Sequence, residues 1–186
     1  TIDLVPLPDV GPQDALIKVK AVGICGSDVH SYKLGFYVEP GQILGHEFSG
    51  EIVELGGEVQ GLEVGDRVTA FQMGVCGTCY WCQRQQYGLC PDLFLRSTGY
   101  GRPGAMAEYV HIQGATPGIN VFKLPAEIDF EIGATIEPTV TASAAANEVQ
   151  QGDKVVVLGA GLIGNVAMQL ARSKGADKVV VTEVSP

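Results

Sequence analysis

Apolar and polar positions alternate in short segments over the first two thirds of the chain. ALIKVKAV (15–22) sets Ile17, Val19 and Ala21 against Lys18 and Lys20, the period-two pattern of a half-buried strand. FSGEIVELG (48–56) runs into a Gly-Gly turn. VGDRVTAF (64–71) carries a turn into a strand, and AEYVHI (107–112) is a further short strand. Short strands separated by glycine turns predict a small barrel or curled sheet, with an irregular β-rich domain as the plainer alternative.

The pattern changes near residue 126. The stretch 127–149 turns alanine-rich after Pro138 and predicts a helical linker. KVVVLG (154–159) is a continuous apolar strand. GLIGNVAMQLARSKG (161–175) spaces Val166, Leu170 and Ala171 as a helix does, and Gly175 supplies its stop. DKVVVTE (177–183) is a second apolar strand. Strand, glycine turn, helix and strand form a βαβ unit. Strands apolar on both faces call for helices on each side and further parallel neighbours. The chain therefore reads as truncated, and the 186 residues alone are not expected to be a competent enzyme.

Composition narrows the function classes. Twelve basic residues stand against twenty-one acidic, a formal charge of −9 with no Lys/Arg cluster, which argues against a nucleic-acid partner. There is no run of 18 apolar residues and no visible signal peptide, so no membrane role is expected and a cytoplasmic location is. Five cysteines in such a chain point to metal or catalytic use rather than disulfides.

Four of those cysteines, Cys76, Cys79, Cys82 and Cys90, fall in one lobe at 72–92 with the spacing C-x2-C-x2-C-x7-C. Four thiolates suit a tetrahedral zinc, and they leave no position for water or substrate, so the site reads as structural. A cubane iron–sulfur motif would need a shorter last gap and a second cluster. A redox C-x-x-C pair fits two overlapping pairs poorly.

The fifth cysteine, Cys25, lies in GICGSDVHSY (23–32), and LGHEFSG (44–50) brings His46 and Glu47 some twenty residues later. Alone, Cys25 would pass for a buried small hydrophobe, His46 for a turn residue and Glu47 for a salt-bridge partner. Together they are the ligand types of a zinc that keeps one position open for a substrate oxygen. Asp28 suits the role of a carboxylate accepting a metal histidine's other N–H, or that of an acid at a helix N-terminus. Ser27 and His30 are candidates to pass a proton to water. His111, in a strand with no constellation near it, reads as structural.

GAGLIG (159–164) gives Gly159, Gly161 and Gly164 at G-x-G-x-x-G spacing, with Leu162 and Ile163 between, after a strand and opening a helix. That context marks a dinucleotide turn, in which a pyrophosphate lies on the helix N-terminus. The plainer reading is a turn needed only for helix–sheet packing. Glu183 ends the next strand, 19 residues after Gly164, where a carboxylate accepts from ribose hydroxyls and repels a 2′-phosphate. No arginine follows it, which favours NAD over NADP.

In order and spacing, CGSDVH (25–30), LGHEFSG (44–50), the cysteine run, IEP (136–138) and GAGLIG resemble the zinc-dependent medium-chain dehydrogenase/reductase family. The resemblance covers essentially the whole chain. It implies a GroES-like β-barrel catalytic domain over 1–136, then a linker helix and the start of an α/β Rossmann cofactor domain over 137–186, truncated at both ends. It implies that Cys25 and His46 ligate a catalytic zinc, that Glu47 ligates or approaches it, and that the four-cysteine lobe holds a second, structural zinc. Other alcohol dehydrogenases have a cysteine near IEP. Glu137 matches the glutamate of the polyol and threonine dehydrogenase branch, as a ligand directly or through water. The resemblance further implies hydride transfer between NAD and a secondary alcohol (a polyol, sugar, diol or hydroxy amino acid), and a homo-oligomer, dimer or tetramer. A carbonyl reductase of the same family and a non-catalytic zinc-stabilised scaffold are the alternatives.

Overall fold

A computed structural model describes residues 2–36, 38–71 and 73–185. Gln72, at which the expected cysteine lobe begins, and Pro186, in the stretch after Glu183, lie outside the described residues. The chain divides into two compact units, Thr1–Ala134 and Thr135–Pro186.

The first unit is built on a five-stranded antiparallel sheet. Its strands are β1 (Ala15–Val22), β2 (Phe48–Leu55), β3 (Arg67–Ala70), β4 (Tyr109–Ile112) and β5 (Val121–Lys123), in the order β4-β1-β2-β3-β5. The alternation read in β1 is present: Ile17 is buried while Lys18 and Lys20 are exposed. Leu16 is buried as well, so the start of β1 is covered on both faces. Register shifts between Leu16 and Ile17 and between Val19 and Ala21 bend β1 against β2, which is how a short sheet curls. Ile17, Phe48, Ile52, Val68, Val110 and Val121 form the centre of the core, each contributing roughly 1.5–3 kcal/mol on burial. At Gly50 a Cβ would lie 2.3 Å from the Lys18 carbonyl oxygen, so the closest β1–β2 approach needs glycine there.

Helix α1 (Gly26–Leu34) follows β1, and α2 (Leu93–Arg96) follows the cysteine lobe. The expected helical linker is instead two helices, α3 (Phe130–Ala134) and α4 (Ile136–Ala146). The first belongs to the sheet unit, where it packs on β1 and β2 and Ser49 donates to the Phe130 carbonyl. The second belongs to the other unit. Pro138 is tolerated because it sits in the first turn of α4, where N–H groups have no partner within the helix.

The second unit holds β6 (Lys154–Leu158), α5 (Leu162–Ser173) and β7 (Lys178–Thr182). The two strands pair in parallel from Lys154 opposite Lys178 to Leu158 opposite Thr182. Helix α5 packs on both strands and on α4, and Ala142, Ala146 and Ala171 are buried. Gly175, at φ +89°, ends the helix in the left-handed region.

Candidate active site

Cys25 precedes α1, and its backbone N–H donates to Asp28 Oδ2 at 2.9 Å, tying the helix start to the loop before it. The same carboxylate accepts the Gly45 N–H on Oδ1 at 3.2 Å. Asp28 is therefore both the acid at a helix N-terminus and the clamp that holds the segment before His46 against α1. Gly45, at φ +94°, turns that segment. Residues 43–45 then bond to residues 104–106: Gly104 to the Ile43 carbonyl, Ala105 to Gly45 and Met106 to Leu44.

These ties bring together residues far apart in the chain. The ligand atoms of Cys25, His46 and Glu47 all lie within 4.8 Å of one another. His46 and Glu47 are buried and Cys25 is half-buried. His46 Nδ1 faces Asp28 Oδ1 at 3.5 Å and is otherwise unsatisfied; Nε2 faces Ser27 Oγ at 3.5 Å. A histidine with a carboxylate on one nitrogen, and a thiol and a second carboxylate nearby, is the donor set of an open zinc site.

The electrostatics without metal agree with that. Burial alone would push the His46 imidazole down, but Asp28 and Cys25 outweigh it and hold it up at about 10. His46 lowers the Cys25 thiol below its ordinary value. Burial would raise Asp28, yet His46 and the N–H groups of Cys25 and Gly45 lower it. A site that gathers a thiol and two carboxylates favours a cation at its centre.

The structure places the other expected residues more loosely. Ser27 bonds Tyr100 Oη at 3.0 Å as well as facing His46. His30 is exposed on α1, and among the described residues it shares no hydrogen bond with Ser27. Glu137 lies in the first turn of α4, in the other unit. His111 has a partner that the sequence did not suggest: Nε2 lies 2.9 Å from Asp14 Oδ2. Tyr100, also missed, stacks on His46 with ring centroids 5.1 Å apart; nothing local to the sequence joins it to residues 27 and 46.

The four cysteines of the lobe converge, all sulfurs within 4.8 Å. Cys76 Sγ is 3.9 Å from Cys82 Sγ and 3.7 Å from Cys90 Sγ. Zinc–sulfur bonds of about 2.3 Å require a sulfur tetrahedron with edges of about 3.8 Å, so the lobe has the dimensions of such a site. The N–H groups of Thr78 and Cys79 hold the Cys76 thiol down at about 6, while burial and the neighbouring thiols push Cys82 up to about 12. Four thiolates this close repel one another, and a divalent ion removes that repulsion. Leu93, Met73 and Val75 pack against the sulfurs.

In the second unit the three glycines of the turn have distinct tasks. Gly159 has φ +102°, which favours glycine. A Cβ on Gly164 would lie 1.9 Å from the Gly159 carbonyl oxygen, so the helix meets the turn only without a side chain. A Cβ on Gly161, which caps α5, would meet nothing within 4 Å; space is left where a phosphate would approach the helix N-terminus. Leu162 and Ile163 open the helix and are exposed. Glu183 is exposed, and its carboxylate accepts the N–H groups of Ala160, Val184 and Ser185 at 2.7–3.0 Å. Those donors lower its pKa and keep it ionised.

Residues 11–126 match the alcohol dehydrogenase GroES-like domain. The chain belongs to the zinc-type medium-chain alcohol dehydrogenase family. Over its whole length it is 37% identical to the sorbitol dehydrogenase of Bacillus subtilis (strain 168), covering 53% of that protein. It is likewise 37% identical to an L-threonine 3-dehydrogenase of Burkholderia mallei (strain SAVP1), covering 54% of it. A crystal structure of a protein assigned as a zinc-binding dehydrogenase from Sinorhizobium meliloti 1021, bound to NADP, superposes with a TM-score of 0.87 at 37% identity. That match covers 95% of this chain and 51% of the other. The chain thus spans about half the length of the relatives it matches. Among the described residues, no helix is long and apolar enough to cross a membrane.

Proposed function

We propose that the chain carries the metal centre and the dinucleotide turn of a zinc-dependent dehydrogenase that moves a hydride between a secondary alcohol and NAD. The observation that carries this reading is the convergence of Cys25, His46 and Glu47 with a serine hydroxyl 3.5 Å from His46 Nε2. Cys25, His46 and Glu47, with Glu137 directly or through water as the family resemblance implies, would hold a zinc ion, and that ion would supply Lewis-acid polarisation of the substrate oxygen.

The chain's own residues do the remaining work. Asp28 orients His46 so that Nε2 points into the centre. Ser27 takes the hydroxyl proton of the alcohol as its own hydroxyl proton leaves. His30, exposed on α1 and sharing no hydrogen bond with Ser27 among the described residues, would release a proton to solvent by way of the ribose of a bound cofactor. The open space over Gly161 receives the pyrophosphate, and the ionised Glu183 accepts from the adenosine ribose. The same charge disfavours a 2′-phosphate, which supports NAD, although the relative from Sinorhizobium meliloti is bound to NADP. Cys76, Cys79, Cys82 and Cys90 would hold a second zinc and leave no position for substrate. The relatives named for sorbitol and threonine support polyols and hydroxy amino acids as substrates, and the family resemblance adds sugars and diols. A homo-oligomeric, cytoplasmic enzyme completes the proposal; five free cysteines are in keeping with a reducing compartment.

The test uses the protein at its full natural length. Zinc is counted per chain, and NAD and NADP reduction are followed across polyols, sugars, diols and threonine. About two zinc ions and turnover with NAD support the reading. About one zinc and no turnover mark a scaffold stabilised by the lobe alone, and turnover only with NADP overturns the role given to Glu183.

A further inference from the structure

Tyr100 has no part in the mechanism above, yet it is held against two of its residues. It lies in the turn from Ser97 to Arg102, where the N–H groups of Tyr100 and Arg102 both donate to the Ser97 carbonyl. Gly99 in that turn has φ +81°, and a Cβ on it would lie 2.6 Å from the Gly45 carbonyl oxygen. The turn is thus pressed onto the residue that precedes His46. The Tyr100 ring sits between Phe94, edge-on at 5.6 Å, and His46, stacked at 5.1 Å with 29° between planes. Its hydroxyl lies 3.0 Å from Ser27 Oγ.

We propose that Tyr100 is a positioning residue of the Cys25–His46–Glu47 centre: its hydroxyl fixes the Ser27 hydroxyl and its ring fixes the plane of His46. The claim rests on the proposed dehydrogenase reading for its effect on turnover, but not for its effect on the two residues themselves. A phenol is the more acidic of the two hydroxyls, so Tyr100 donates and Ser27 accepts. Ser27 then keeps one lone pair for a substrate hydroxyl, and its rotor no longer samples other directions. Without that donor, the contacts left to Ser27 Oγ among the described residues are the Cys25 thiol and His46 Nε2 at 3.5 Å, the latter longer than a good hydrogen bond. The stacked ring restricts the imidazole to an orientation in which Nδ1 faces Asp28 and Nε2 faces Ser27.

The test compares Tyr100→Phe, which removes only the hydroxyl, with Tyr100→Ala, which removes the ring too, both in the zinc-loaded protein at full length. Tyr100→Phe is expected to lower kcat about tenfold with KM within about twofold, and to release zinc to a chelator at the wild-type rate. Combining Tyr100→Phe with Ser27→Ala should lose no more than Ser27→Ala alone, since both act through one hydroxyl. Tyr100→Ala is expected to release zinc about tenfold faster, with Tyr100→Phe restoring the slow rate. In protein carrying 13C-labelled tyrosine, Ser27→Ala should move the Tyr100 ring resonance. Wild-type kcat in Tyr100→Phe, additive losses, unchanged zinc release in Tyr100→Ala, or an unmoved resonance each overturn the assignment. If the wild type turns over no alcohol, the proposed function fails, while zinc release and the resonance still decide the role of Tyr100. If Tyr100→Ala does not fold, Tyr100→Phe and the resonance decide it.

Discussion

The two thiol-bearing centres sit in the same unit and are assembled in opposite ways. In the lobe, four sulfurs come from fifteen residues of one loop, and the backbone N–H groups of Cys76, Cys79 and Cys82 point back at neighbouring sulfurs. At the other centre, Cys25 comes from the start of α1 and His46 and Glu47 from the approach to β2, held together by Asp28. A loop that supplies all four ligands closes the shell and can only hold. A site that draws three donors from two elements leaves a side open, with the Ser27 hydroxyl nearby. On the proposed reading, the density of cysteines in a sequence marks the clamp, and the chemistry belongs to the sparse site.

The strongest way to break this division is Cys79→Ser. Three sulfurs cannot complete the tetrahedron, so the lobe should lose its zinc and the protein several kcal/mol of stability, with aggregation. Zinc counts and thermal melts read this directly. Cys25→Ser should instead abolish dehydrogenase turnover while the melting temperature stays close to that of the wild type. Equal losses of stability in the two variants would defeat the comparison.

A finer test uses the two histidine–aspartate pairs. His46 faces Asp28 at 3.5 Å with both side chains 4% exposed, whereas His111 meets Asp14 at 2.9 Å with exposures of 18% and 17%. Asp28→Asn should weaken zinc at the open centre about 10–100-fold and leave the lobe's zinc in place; a chelator titration distinguishes the two ions.

Asp14→Asn should spare both metals and cost about 1 kcal/mol of stability near neutral pH. Burial would raise the Asp14 pKa, but the Gly114 N–H, His111 and the Gly11 N–H bring it below the ordinary 3.8. A depressed carboxylate stabilises the fold above its unfolded value, and that contribution is lost as pH falls through the lower folded value. The variant and the wild type should therefore converge in strong acid. Urea melts at neutral and acid pH check this, and a constant gap between them would show that the charge of Asp14 is irrelevant.

Much of the fold was legible because its signals are local. The alternation in β1, the glycine-ended segment of β2 and the apolar runs of β6 and β7 are each signals of a few neighbouring residues. Helix α1 was not legible: GSDVHSYKL has no apolar stripe, and the helix is held by Asp28 at its start and Gly35, at φ +68°, at its end. Strand β5 is three residues long and exists through its pairing with β3.

By itself, the sequence determined the donor types, the C-x2-C-x2-C-x7-C spacing and the glycine turn, since each depends on residue identity over a few positions. The tertiary structure alone decided that Asp28 binds both Cys25 and Gly45, that His111 meets Asp14, and that Tyr100 lies over His46. Those contacts join residues up to 97 positions apart. They depend on sheet register and on the crossing of residues 43–45 with 104–106, and no local pattern of side chains encodes either.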